Sequence, residues 1–499
     1  MEMKTIKLEQ PVAISQPTHM DRRAFVAGMG AMAGTLATTG AAMARAAEIG
    51  DAGTGEQPKA AQENDVLGVS TVATPGWLAE QGGTSMSLDE INRLRHELVD
   101  SKGDLECTDG SVVPAVWNKL RALINSYSVG CGSDLSEATP ANFEYLQMLF
   151  TEDEAQAYLE MPFGVLFSAA EFAEVSGRDE AECLELCDNL AMRGLLFRCH
   201  RAGVAYFHQL AEVHGLFEYG LCDYYTEGWA EKRKNFAMPD SANNYCNSGT
   251  AFYYAIPCSR EVVADEQGVL PLEDWEKIVD RNEVLAVAPC QCRLFGMVNA
   301  GEPEPPAIGT EELKDFRSPL NDQYLETCIV TGEEAQYYLD RGVARAITKE
   351  EARSILQRSV DEGMILQSAF TKDSCVICSC KGDSCGILKK YQAIGAGGCE
   401  VATCMPNNSH YNLVYDKDAC IQCGACVERC PMFAITMDDE SYPVVDARCM
   451  RCGQCGLACP VDARKIEAKD ASERIELPGT MLDDYNLKAA YRFEHGLLY

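Results

Sequence analysis

Cys420-Ile-Gln-Cys423-Gly-Ala-Cys426-Val-Glu-Arg-Cys430-Pro431 and Cys449-Met-Arg-Cys452-Gly-Gln-Cys455-Gly-Leu-Ala-Cys459-Pro460 are two copies of one pattern, Cys-x2-Cys-x2-Cys-x3-Cys-Pro. Two-residue spacing lets a tight loop turn three thiolates toward one point, and Gly424, Gly453 and Gly456 let the backbone pass close to whatever those thiolates hold. The fourth cysteine of each copy sits beyond the loop, at the start of a helical turn that leads it away from the other three. Between the copies, Phe433–Met437 and Tyr442–Val445 bracket Asp438-Asp439-Glu440-Ser441, which predicts a small β-hairpin.

Paired Cys-x2-Cys motifs also hold zinc. Eight cysteines in two complete repeats, each closed by proline, favour iron–sulfur clusters. The pattern resembles bacterial two-cluster ferredoxins. Carried over residue by residue, that resemblance implies two [4Fe-4S] clusters, the first held by Cys420, Cys423, Cys426 and Cys459 and the second by Cys449, Cys452, Cys455 and Cys430. It also implies electron transfer. The domain is expected over 406–470, with a C-terminal tail over 471–499 whose Tyr485, Tyr491, Phe493 and Tyr499 either pack back across it or dock a partner.

The chain has 499 residues, enough for several packed units, and 25 cysteines that thicken toward the C-terminus instead of spreading as paired staples would. Ten lie outside the cysteine groups: Cys107, Cys131, Cys183, Cys187, Cys199, Cys222, Cys246, Cys258, Cys399 and Cys404. Buried thiols or disulfides account for these. The formal charge is −33. That balance repels nucleic acid and anionic membrane surfaces and suits either a basic redox partner or an acidic surface that serves only solubility.

Upstream, residues 241–405 read as a cysteine-rich α/β domain. Val284–Ala288 is a buried-strand pattern running into Pro289-Cys290-Gln-Cys292-Arg293. Cys328 and the run Cys375-Val-Ile-Cys378-Ser-Cys380-Lys-Gly-Asp-Ser-Cys385 follow. Two closely spaced pairs, Cys290 with Cys292 and Cys378 with Cys380, can converge on one metal centre, with Cys328, Cys375 and Cys385 as further candidates. A third iron–sulfur cluster, structural zinc, and disulfides or free thiols are the three readings of this group. Over about residues 270–460 the chain resembles a group of iron–sulfur proteins in which such a segment precedes a two-cluster domain. Thr331-Gly-Glu-Glu334 and Thr348-Lys-Glu-Glu351 read as capping boxes, starting helices that end at Gly342 and Gly363, so Cys328 is expected just ahead of a helix N-terminus.

Residues 86–240 read as helical. Phe143–Leu159 predicts one amphipathic helix, Ser168 caps a second over Ala169–Val175, and a third runs through Cys183, Leu186, Leu190 and Met192. Gly194–Arg198 and Val204–His208 alternate as a two-stranded wing. The arrangement, about 143–220, resembles a winged-helix domain. Residues 141–240 carry eighteen acids against seven Lys or Arg, so a scaffold or docking role fits and DNA does not. His200, His208 and His214 near the wing receive no chemistry, and Cys183 with Cys187 reads as core.

At the start, Asp21-Arg22-Arg23-Ala24-Phe25-Val26 opens a weakly apolar stretch closed by Ala44-Arg45-Ala46. This resembles a twin-arginine signal over 1–46 and implies export of the folded protein to the periplasm or the outer face of the cytoplasmic membrane. A flexible linker is expected over 47–85.

The fold class is therefore α+β and multidomain, with a winged-helix-like N-terminal half, a cysteine-rich α/β middle and a ferredoxin-like C-terminal domain. The expected function is single-electron relay between a membrane-linked partner and a separate oxidoreductase, which serves as donor or acceptor, with peripheral membrane association allowed and no nucleic acid. Such a chain is an electron-transfer subunit more than an enzyme by itself. Two rivals stand: a reductase using the middle cluster, and a redox-sensing or assembly subunit. A twin-arginine signal with a two-cluster domain also resembles reductive dehalogenases, but the region 143–220 leaves too little chain for their corrinoid-binding core.

Overall fold

The computed structural model describes residues 86–128, 131–237, 248–258, 262–263, 273–396, 409–474 and 477–498. The signal-like segment and the linker lie outside the described residues, as do Cys246, Cys399 and Cys404.

Ser87 accepts the amide of Glu90 and starts α1 (Leu88–Asp100), which buries Leu88, Ile91, Leu98 and Val99 along one face. α2 (Ala115–Tyr127) packs beside it. The single helix expected over 143–159 is two, α3 (Glu144–Leu149) and α4 (Glu152–Glu160). Thr151 divides them. Its hydroxyl takes the Glu154 amide while the Glu154 carboxylate takes the Thr151 amide, so a capping box outcompetes continuation of the first helix.

β1 (Phe167–Ser168), α5 (Ala169–Ser176) and α6 (Glu180–Met192) follow, Ser168 capping α5. The wing strands are β2 (Phe197–Arg201) and β3 (Val204–His208), turned at Ala202 and Gly203, both at positive φ. The first wing strand thus starts three residues later than expected. β1 joins them to give a three-stranded antiparallel sheet in the order β1-β3-β2.

The middle region is an antiparallel sheet in the order β7-β5-β6-β9-β8-β4, from β4 (Tyr253–Ile256), β5 (Leu285–Pro289), β6 (Glu326–Thr331), β7 (Arg345–Ala346), β8 (Ile365–Ala369) and β9 (Val376–Cys380). β5 and β6 are buried along their whole length, as runs of β-branched and small residues require when both faces are covered. The helices are α7 (Gln291–Ala300), α8 (Gly332–Asp340), α9 (Lys349–Asp361) and α10 (Gly386–Ala396). Gly342 and Gly363, at φ 70° and 80°, follow α8 and α9 as expected. Thr331 stands at the N-cap of α8 without a capping box, because its hydroxyl donates to the Ser374 carbonyl instead. Cys328 is a residue of the central strand β6, three residues ahead of the N-cap of α8.

The C-terminal cysteine repeats lie on β10 (Tyr411–Tyr415), α11 (Ala425–Arg429), the hairpin β11 (Ile435–Met437) and β12 (Pro443–Val445), α12 (Gln454–Leu457) and β13 (Arg464–Ala468). The tail does not pack across this region. It forms α13 (Met481–Glu494), which lies on α1 and α2 at the other end of the chain. Buried polar groups hold it there. Lys488 pairs with Asp484, Arg492 donates to the carbonyls of Asn125 and Ser128, and Asn486 Nδ2 donates to the Gly164 carbonyl at 2.9 Å. The sequence signal for this was its four aromatic residues, which fit either surface.

The described residues belong to one compact unit. One apolar core runs from α2 through the middle sheet to Met432, Met450 and Cys452. Cys426 and Cys455 belong to a separate small core with Ile435. One end of the C-terminal domain is thus merged with the body of the protein.

Candidate metal centres

The two C-terminal repeats share their backbone conformation position by position. Gln422 and Arg451 both have left-handed φ, at 59° and 55°; so do Gly424 and Gly453, at 76° and 85°, and Phe433 and Asp462, at 53° and 54°. Left-handed non-glycine residues cost energy that the surroundings must offset. Here they curl each loop round a cavity. Backbone amides then point at sulfur: Gln422 N at Cys420 Sγ (3.4 Å), Ala434 N at Cys430 Sγ (3.4 Å) and Ala463 N at Cys459 Sγ (3.2 Å).

Cys420, Cys423, Cys426 and Cys459 line one cavity, together with Tyr415, Ile421 and Val461. Cys430, Cys449, Cys452 and Cys455 line a second, with Met432, Ile435 and Met450. The fourth cysteine of each repeat therefore stands with the three of the other. Burial pushes the Cys449 thiol up to about 11 and the Cys455 thiol higher still, Cys452 adding to the latter. Packed thiols of this kind give up their protons to a metal's positive charge.

A third cavity lies in the middle region. β5 ends at Pro289, Cys290 occupies the N-cap of α7 and Cys292 its first turn. Cys328 comes from β6, Cys378 and Cys380 from β9, and Cys385 from the turn before α10. All six line one cavity, with His214, Glu218, Tyr253, Thr327, Gln367 and Ser379 among its other walls. Their thiols touch in a chain, Cys292 to Cys385, Cys385 to Cys380, Cys380 to Cys378 and Cys378 to Cys328. Cys378 and Cys385 hold the Cys380 proton affinity down to about 6, whereas burial drives Cys290 up to about 11.

Cys375 is the exception among the candidates. It precedes β9 and lines a different cleft, beside Glu334, Asp373 and Cys199.

The residues present fit an anionic metal cluster. Arg293 is buried, and among the described residues its guanidinium has no carboxylate partner. Its donors go to Gln323 Oε1 (2.9 Å), the Tyr324 carbonyl (2.8 Å), Thr327 Oγ1 (2.7 Å), the Ser379 carbonyl (2.6 Å) and Met364 Sδ (3.4 Å). An uncompensated buried cation beside six thiols is balanced when thiolates form. The hydroxyl of Ser379 and the carbonyl oxygen of the Gln367 side chain, both on the cavity wall, have no partner among the described residues. Among the described residues no three His, Cys, Asp or Glu side chains converge tightly enough to clasp one ion. In all three places the thiols ring a cavity instead.

Several functional neighbours carried no motif. His214 Nε2 meets Glu334 at 2.8 Å and its Nδ1 meets Tyr253 Oη at 2.8 Å, all buried, so that a titratable pair separates the six-cysteine cavity from the cleft of Cys375. Cys258 donates its amide to the Cys452 carbonyl at 2.8 Å and places its thiol against that of Cys452. Gln454 reaches the carbonyls of Val360 (3.0 Å) and Met364 (2.7 Å), and Arg429 those of Asp361 (2.9 Å) and Val360 (2.7 Å). A signal for the last two existed: Ala425 and Ala458 occupy the equivalent places in the other repeat. The polar substitutions mark where the repeat meets the body of the protein.

Cys107, Cys183, Cys187, Cys199 and Cys258 are free thiols, so disulfides do not account for them. All five are buried. No described helix is long and apolar enough to cross a membrane.

No curated protein and no solved structure matches the chain. Residues 412–460 match the 4Fe-4S dicluster domain, a family of iron–sulfur electron-transfer modules, and that stretch contains all eight cysteines of the first two cavities.

Proposed function

We propose that the protein is an exported iron–sulfur electron relay with three centres, carrying single electrons between a membrane-linked partner and a separate oxidoreductase. The single observation behind this reading is a bonded connection. Gln454, between two cysteines of the second cavity, donates to the carbonyl of Met364, and the sulfur of Met364 receives Arg293, the residue that follows Cys292. The second dicluster cavity and the six-cysteine cavity are thereby tied to opposite ends of one residue. A cluster, when bound, supplies reversible one-electron chemistry.

Four of the six middle thiols suffice for one cluster. Cys290, Cys292, Cys378 and Cys380 are the proposed ligands, with Cys328 and Cys385 on the same wall. Arg293 fixes the first pair against the strands bearing the others. The N-terminal helices and wing, read as a winged-helix-like scaffold, cover the sheet through contacts such as Tyr337 Oη to the carbonyls of Ala191 and Leu196, both 2.8 Å. The paired arginines at Arg22 and Arg23 support twin-arginine export after cluster assembly.

Iron analysis tests the reading. Three [4Fe-4S] clusters correspond to about twelve irons per chain, and two to about eight. Cys423→Ala with Cys452→Ala should remove most of the iron and the low-temperature EPR signal of the reduced protein; unchanged iron would sink the assignment. Cys378→Ala with Cys380→Ala should take the content from about twelve to about eight.

The rival in which the middle centre reduces a substrate is favoured by one observation, the His214–Glu334 pair between that cavity and the neighbouring cleft. It requires turnover of a substrate by the protein alone.

A further inference from the structure

We propose that a redox partner with an apolar centre and a rim of lysines or arginines docks on the face formed by Ile421, Val461 and Cys423, beside the first dicluster cavity. The inference rests on the relay reading and names the partner's chemistry.

The two ends of the dicluster domain differ in burial. Cys423 is exposed, while Cys452, its counterpart in the other repeat, is buried against Cys258 and Gln454. The second cavity shares the main core, through Met432, Met450 and Cys452, so no outside protein reaches it from that side. Among the described residues the first cavity has no such cover. Ile421 and Val461 form part of its wall and are 59% and 37% exposed. Apolar side chains left open directly over a redox site provide a dry contact of the kind found at the centre of transient interfaces.

The surroundings specify the charge of the partner. Asp416 and Asp418 precede Cys420, and Asp438, Asp439 and Glu440 form the hairpin turn; all five are exposed. The turn is held against the cysteine loop by Gln422 Nε2, which donates to the Glu440 carbonyl at 3.1 Å. Lys417, the base in this stretch, lies 3.6 Å from Glu440 and 4.1 Å from the ring centre of Tyr442. Charge complementarity then selects a basic rim, which raises the encounter rate and makes binding sensitive to salt.

A lysine-rimmed cytochrome c serves as the probe, and its binding to the iron-loaded protein is measured by calorimetry at low ionic strength. Asp418→Lys with Asp439→Lys, both exposed carboxylates, should weaken the Kd tenfold or more, and Ile421→Ser should weaken it severalfold. Glu174→Lys with Glu185→Lys, an equal charge change on α5 and α6, should alter it less than twofold. Equal losses in the two charge reversals would mean that overall charge and not this face attracts the cation, and would overturn the proposal, as would absence of binding to the unaltered protein. Iron content and EPR of each variant separate the two readings. Normal clusters with no effect at this face discard the docking site and leave the relay standing, whereas missing clusters discard both.

Discussion

The side-chain amide of Gln454 donates to the carbonyl oxygen of Met364 at 2.7 Å, and the same amide reaches the Val360 carbonyl at 3.0 Å. Both carbonyls close the turn that follows α9, so one buried glutamine fixes the second dicluster loop to the middle sheet. The contact lies at 0% exposure for Gln454. Water cannot replace it.

Gln454→Leu keeps the volume and removes both donors. The Val360 carbonyl keeps Arg429 at 2.7 Å, but the Met364 carbonyl is left with the Cys258 thiol at 3.4 Å, so the loss is that of one buried hydrogen bond, about 1–3 kcal/mol. Denaturant unfolding should show a loss of that order. The iron content should stay near that of the unaltered protein, because no ligand is touched.

Much of the dicluster region was legible because its chemistry is local: spacing, glycine and proline fix the loop irrespective of what packs around it. The buried strand before Cys290, the caps at Ser168 and Thr348 and the ends of the helices before Gly342 and Gly363 were legible for the same reason. Convergence of Cys328 and Cys385 with the two pairs was not fully so, since they come from separate elements that only the sheet order brings together. Cys375 lies beside Val376 in sequence, yet opens into another cleft. Strand residues alternate faces, and a cysteine-dense run conceals that alternation. The tail went to α1 and α2 because Lys488, Arg492 and Asn486 find buried partners there, a long-range match with no sequence period.

Cys375→Ala and Cys380→Ala distinguish the cavity from the cleft. Cys380 stands in the chain of thiols, whereas Cys375 faces Glu334. Cys380→Ala should lower iron and labile sulfide by up to about four per chain, the content of one cluster. Cys375→Ala should leave both unchanged. Loss of iron in the Cys375 variant would place that thiol among the ligands after all.

Arg293 offers a sharper stability test. Its guanidinium makes five contacts that join α7 to β6, β9 and the start of β8. Arg293→Met removes the cation and leaves the oxygens of Gln323, Tyr324, Thr327 and Ser379 without that donor. Breaking a buried network of this kind costs about 3–5 kcal/mol. The variant should unfold at markedly lower denaturant and lose the iron of the middle centre before that of the dicluster domain. Arg293→Lys should restore little, since an ammonium cannot reproduce the fork.

Burial alone would lower the proton affinity of His214, but Glu334, Glu218 and the hydrogen bond to Glu334 outweigh it and raise the imidazole from 6.5 to about 9. Tyr253 and Cys328 also face the ring. A histidine whose affinity is raised on folding stabilises the native state fully below pH 6.5, and that contribution is lost as pH climbs through about 9. Its size is about 3 kcal/mol at most. Glu334→Gln removes the charge that holds the proton, so the variant should be less stable than the unaltered protein at pH 6.5 and should close the gap by pH 9.5, where the unaltered protein keeps a buried carboxylate beside a neutral imidazole. Denaturant midpoints at the two pH values check this. A gap that stays constant across the range would show that Glu334 acts through packing and its bond from Tyr219, and not through the His214 proton.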